Sequence, residues 1–136
     1  MRHYELVEHT ADVGVKAYGK TVAEAFKHVA EGMFDIITDK STIDPVGEYN
    51  ILLEAPDLEQ LLVDWLSQLL FLNDAHDLVF GKFEVTLTEN HLSAHVFGEK
   101  YDKKKHQMGV EIKAVTYHML QVHTTDLIFV QVLFDI

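Results

Sequence analysis

Residues 21–37 read TVAEAFKHVAEGMFDII, and their spacing decides the architecture of the whole chain. Val22, Ala25, Phe26, Val29, Ala30, Met33, Phe34 and Ile37 recur at the three- and four-residue intervals that line one face of an α-helix. Thr21 followed three residues later by Glu24 makes a capping box, which fixes the helix start. A second set, Leu58, Leu61, Leu62, Trp65, Leu66, Leu69 and Leu70, has the same period, with Asp57 after Pro56 as its N-cap. Two amphipathic helices are therefore expected.

Outside them the apolar period drops to two. Residues 2–8 and 13–18 alternate, as do Ile51 and Leu53, then Phe83, Val85 and Leu87, then Leu92, Ala94 and Val96, then Val110 and Ile112. TENH at 88–91 and VHTTDL at 122–127 read as turns, the second leading into a last apolar strand. Residues 114–120 either finish a strand or form a short helix. Helices with one apolar stripe and strands with one apolar face imply an α+β fold, a two-layer α/β sandwich with a mixed sheet and both main helices on one face.

Composition bounds what such a fold does. At 136 residues, with 48% hydrophobic residues spread evenly and no Pro/Ser-rich linker, the chain reads as a single domain over 1–136. It has no cysteine, which excludes thiol catalysis, disulfides and thiolate metal sites. Residues 61–72 form the longest apolar stretch, but Asp64, Ser67 and Gln68 interrupt it, and the N-terminus has no apolar signal segment. A cytoplasmic protein without membrane association is the expectation. The formal charge of −11 opposes a broad phosphate-binding surface, so direct nucleic-acid binding is not expected.

One stretch departs from strand alternation: HTADVG at 9–14. It reads as a loop between the first two strands, with Asp12 in its middle and Gly14 just after. Asp12 then either makes a local turn or presents a carboxylate at the sheet end. The C-terminal run FVQVLFDI offers a partner. Asp135 is followed by Ile136, which brings a side-chain and a main-chain carboxylate within a few Å, and the first and last strands of such sandwiches are often neighbours. Three carboxylates there suit Ca²⁺ or Mg²⁺; the competing reading is a solvated, frayed terminus.

Lys113, in GVEIKAVTYH, is expected on the solvent face, either beside that acidic end or as a solubilising residue. His9 reads as a packed or hydrogen-bonded histidine at a strand end, and His118 as a packed histidine or as a ligand if Zn²⁺ or Mn²⁺ is bound. FGEKYDKKKHQ at 97–107 reads as an exposed loop whose Gly98, lysines and His106 either contact phosphate or an acidic partner, or form a solvated turn. No phosphate loop, nucleophile elbow, HExxH helix or dinucleotide fingerprint is present in the sequence.

Six segments in order, YELVEHTADVGVKAYGKTVAEAF, MFDIITD, DLEQLLVDWLSQLLFL, GEKYDKKKH, EIKAVTYH and the final FDI, resemble the archease family over nearly the whole chain. The resemblance implies a small α/β protein holding a divalent cation through Asp12, Asp135 and Ile136, with Ca²⁺ as the first expectation and Mg²⁺ or Mn²⁺ as alternatives. It implies a partner, the tRNA-splicing RNA ligase, whose guanylylation and multiple turnover archeases promote. Asp12, Lys113 and Asp135 are the activation candidates, and the chain is expected to be an activator rather than an enzyme. A tRNA cytosine methyltransferase, kept soluble and made more selective, is the alternative partner. A third class, a metal-dependent hydrolase using His9, Asp12 and His118, lacks a complete catalytic set.

Overall fold

The computed structural model describes residues 3–9 and 12–136. Met1, Arg2, Thr10, Ala11 and the His9 side chain lie outside that description, so the middle of the HTAD stretch does too. The order is β1 (Tyr4–His9), β2 (Asp12–Tyr18), α1 (Val22–Ile37), β3 (Gly47–Glu54), α2 (Leu58–His76), β4 (Leu78–Thr88), β5 (His91–Lys100), β6 (Ala114–Val115), β7 (Gln121–His123) and β8 (Phe129–Asp135), with a 3-10 turn at Lys40–Thr42.

The α+β class matches expectation, but the sheet is two sheets and every strand pair is antiparallel. One runs β1-β2-β8, with β6 and β7 both pairing to β8; the other is β3-β5-β4. Nor do the helices sit on one face of a single sheet, because each of them contacts both sheets. The reason lies in α1. Its buried residues include His28, Gly32 and Ile36 besides the expected stripe, and at 3.6 residues per turn they sweep roughly two-thirds of the circumference. Gly32 is required where β2 crosses, since a Cβ there would lie 2.7 Å from Val15 Cγ1.

Both helix starts are capped as the sequence requires. Thr21 Oγ1 accepts from Glu24 N at 3.1 Å, and Asp57 Oδ1 accepts from Gln60 N at 2.8 Å. Glu24 reaches one residue further back than in a reciprocal box, accepting from Lys20 N at 3.2 Å. Trp65, fully buried, ties the helices together by donating its indole N–H to Phe26 O at 3.0 Å. Truncating such a side chain to alanine typically costs about 3–5 kcal/mol.

Two loop expectations are corrected. Val110 and Ile112 belong to no strand: Gly109 N and Val110 N instead donate to Ile37 O and Ile36 O at the end of α1. The segment 114–120 is a two-residue strand, β6, followed by a turn at whose end Leu120 N donates to Tyr117 O. The turns at TENH and VHTTDL form, with Glu89 and Asp126 in the left-handed region.

Candidate functional site

The site is assembled by strand register. β1 and β2 form a hairpin that places His9 opposite Asp12, and β2 pairs with β8 so that Asp12 stands opposite Asp135. Asp135 in turn faces Ala114 of β6, while Lys113 N donates to Asp135 O at 2.7 Å. Asp12 is thus the first residue of a strand and not the middle of a loop. Val13, Val15 and Ala17 pack with Phe134, Val132 and Val130 on the core side. By alternation, Asp12 and Asp135 share the opposite face.

Directly opposed residues on one face have Cβ atoms roughly 4.5–5.5 Å apart, and like charges so placed repel. Asp12 is half-buried and Asp135 exposed. Lys16 shares their face but lies four residues along β2, with Nζ 4.4 Å from the Phe129 ring centroid.

Gly14 also needs reassignment. It lies inside β2, where a Cβ would meet Val132 O at 2.4 Å and Leu133 Cδ2 at 2.5 Å. The missing side chain lets Leu133 fold across the strand and become fully buried on the outer face. The 116–120 segment closes over the same region: Thr116 N and Oγ1 both donate to Leu133 O, and Gln131 Nε2 donates to Met119 O at 3.0 Å. His118, exposed on that segment, donates its backbone N–H to Thr116 Oγ1 at 3.3 Å.

The basic stretch 97–107 divides: residues to Lys100 end β5 and residues 102–105 form an exposed charged turn, while Gly98 and His106 are buried. His106 is only 1% exposed; its Nδ1 accepts from Asp102 N at 2.9 Å, so Nε2 carries the proton and donates to Glu99 at 3.0 Å. Lys105 bridges Glu99 and Asp44, with Nζ 2.8 Å and 2.6 Å from their carboxylate oxygens. Lys105 beside Glu99 holds that carboxyl down at about 2, against the opposing effect of burial, with help from the Asp44 N–H and His106. The Lys105 ammonium is pushed up, first by Asp44 and then by Glu99. Gly98 serves packing, since a Cβ there would lie 1.9 Å from Val79 O beside the β4 bulge.

The acid pair offers oxygen donors only, which fits a hard divalent cation. Asp12 and Asp135 would hold it, with the Ile136 carboxylate as the third donor implied by resemblance; bound there, the ion would supply positive charge at the sheet end.

This two-sheet α+β scaffold is shared with solved structures. It superposes on the solution structure of Methanobacterium thermoautotrophicum protein 1598 with a TM-score of 0.87 at 34% identity, covering 100% of both chains. A crystal structure from Thermotoga maritima, described as an archease and possible chaperone, has the same fold at a TM-score of 0.58 and 21% identity, covering 100% of this chain and 98% of that one. Protein archease of Pyrococcus furiosus is 42% identical over 126 residues, 90% of this chain and 89% of its own length. That of Methanosarcina mazei is 44% identical over 129 residues, 91% and 88%. Residues 4–136 match the Archease protein family (MTH1598/TM1083), and the chain belongs to that family.

Proposed function

We propose that this chain is an accessory protein that activates a tRNA-splicing RNA ligase through a divalent cation held at Asp12 and Asp135. The observation carrying the proposal is the register that sets these two carboxylates opposite each other, at the end of the sheet where the HTAD and FDI segments meet. Juxtaposed carboxylates attract a divalent cation, which offsets their mutual repulsion, and this supports ion binding there.

An acidic tip of this kind complements a pocket built for triphosphate, where metal ions and basic side chains gather. The tip enters that pocket and positions the ion against nucleotide phosphate, while Lys113, anchored by its N–H on Asp135, stabilises the phosphoryl group or departing pyrophosphate. The net charge of −11 favours reaching RNA through the partner enzyme. No helix among the described residues is long and apolar enough to cross a membrane, and we place the activity in the cytoplasm.

The test is guanylylation and multiple-turnover ligation by the ligase of the same organism, with and without this chain. Stimulation is expected to vanish in Asp12→Ala and Asp135→Ala while their circular dichroism stays that of the parent. Variants that stimulate normally would sink the proposal.

A second reading, a chaperone for a tRNA methyltransferase, draws on exposed apolar side chains away from the acid pair. Leu52 is 78% exposed over a groove lined by Leu53, Thr86 and Leu92. Protection of the methyltransferase from aggregation that persists in Asp12→Ala and is lost in Leu52→Asp would favour it.

A further inference from the structure

His3, His28 and Glu31 form a second cluster, on the flank of α1 where the open end of the β1–β2 hairpin docks. One ligand atom from each lies within 4.8 Å of the other two. His28 and Glu31 are three residues apart on α1, hence on one face of it. The hairpin delivers His3: Tyr18 N donates to His3 O at 2.8 Å, and the carbonyl of the same Tyr18 lies 2.6 Å from His28 Nδ1.

That last contact fixes the chemistry of His28. A carbonyl oxygen only accepts, so the proton resides on Nδ1 and the lone pair on Nε2. A ring N–H given to a backbone carbonyl, with the other nitrogen presented, is the supporting arrangement that metal-ligating histidines have. His28 is also 5% exposed, which holds its ring in place.

We propose that His3, His28 and Glu31 constitute a Zn²⁺-class binding site, separate from the Asp12–Asp135 pair and of different ion preference. Two imidazole nitrogens and one carboxylate make a three-ligand set that leaves a fourth tetrahedral position for water. Nitrogen donors suit a borderline ion, whereas the all-oxygen acid pair suits Ca²⁺ or Mg²⁺. The surroundings are acidic as well: Asp35, one turn along α1 from Glu31, accepts from the neighbouring Tyr4 hydroxyl.

The two imidazoles are stacked, with centroids 4.1 Å apart and 6° between planes. Parallel rings do not aim both lone pairs at one ion, so binding turns the exposed His3 ring out of the stack while His28 stays fixed. The bound ion then joins the hairpin end to α1.

The experiment is calorimetric titration of Zn²⁺ into chelator-stripped protein, repeated with side-chain ¹⁵N spectra of the histidines. Asp135→Asn serves as the background that removes the acid pair. We expect one Zn²⁺ per chain in both parent and background, shifts confined to the His3 and His28 rings, and no displacement by excess Ca²⁺. His3→Ala and Glu31→Gln, both outside the core, are expected to weaken binding at least about tenfold. Absence of stoichiometric binding, or binding of equal strength in both variants, would overturn the site and leave His3 and His28 as an aromatic stack only. His28 is left intact in this series because its bond to Tyr18 also supports the fold.

Discussion

Glu99 and the Asp12–Asp135 pair are both carboxylates near strand ends, and the fold treats them oppositely. Around Glu99 it gathers Lys105, the His106 Nε2–H and the Asp44 N–H, and joins the 101–107 loop to the segment before β3. At Asp12 it sets a second carboxylate directly across the ladder. The first arrangement gains stability from charge; the second sets two like charges side by side, which raises the affinity of that end for a cation. An acid that a fold surrounds with a cation and N–H donors is structural, and one that it aligns with another acid is a candidate for holding an ion.

The contrast breaks most readily at Gly14. The acid pair exists because β2 and β8 lie close, and closeness at that point depends on the absent Cβ. In Gly14→Ala the new methyl meets backbone at Val132 O and the Leu133 side chain, and overpacking of this kind costs about 3 kcal/mol. Urea denaturation should show the loss, and Ca²⁺ binding should fall with it because the two carboxylates separate.

Glu99→Ala attacks the other side of the comparison. It removes the acceptor of the buried His106 N–H and one of the two partners of Lys105, a loss of about 2 kcal/mol on the scale of hydrogen bonds to charged groups. Acid titration of the parent sharpens the same point. Because the folded Glu99 carboxyl sits at about 2, below its ordinary 4.5, its contribution is complete above pH 4.5 and is lost as pH falls towards 2. The thermal midpoint should decline over that window, and less steeply in Glu99→Gln. Ligase stimulation, measured near neutral pH, should be unchanged in both variants.

The sequence displays the helices and hides the sheets, for a physical reason. Caps at Thr21 and Asp57 and the apolar stripes that follow are local signals, read from residues a turn apart. The division into two sheets depends on which distant edges pair, and no period encodes that. His28 and Gly32 escaped the stripe because one is polar and the other has no side chain, yet both are buried and give α1 its second contact face.

Asp12 was legible as a carboxylate at a sheet end, since the strands flanking HTAD and the final FVQVLFDI each announce themselves. Its membership of β2 was not, because a two-residue link between β1 and β2 resembles a longer loop when its residues are polar or small. In KYDKKKH the charges pointed to solvent, where Lys100 and residues 102–105 do lie, but the pairing of Lys105 with Glu99 and with Asp44, 58 residues before the loop begins at 102, could be placed only by the fold. The His28 and Glu31 spacing on one helix face was available from sequence; its partner His3 required the hairpin.

The smallest expected effect gives the most direct test of the acid pair. Replacing Asp135 by Asn keeps the shape of the side chain and removes one of two directly opposed negative charges. In chelator-treated protein this should raise stability by about 0.2–1 kcal/mol, the size of a cross-strand pair effect. Ca²⁺ should reverse the ranking. The parent gains free energy in proportion to the logarithm of ion concentration over its dissociation constant, whereas the variant, short of one ligand, gains less. Denaturation curves of the two proteins should therefore cross as Ca²⁺ rises. If Asp135→Asn is instead destabilising without the ion, the two carboxylates are held by partners within the fold, and the acid pair belongs with Glu99 as structure.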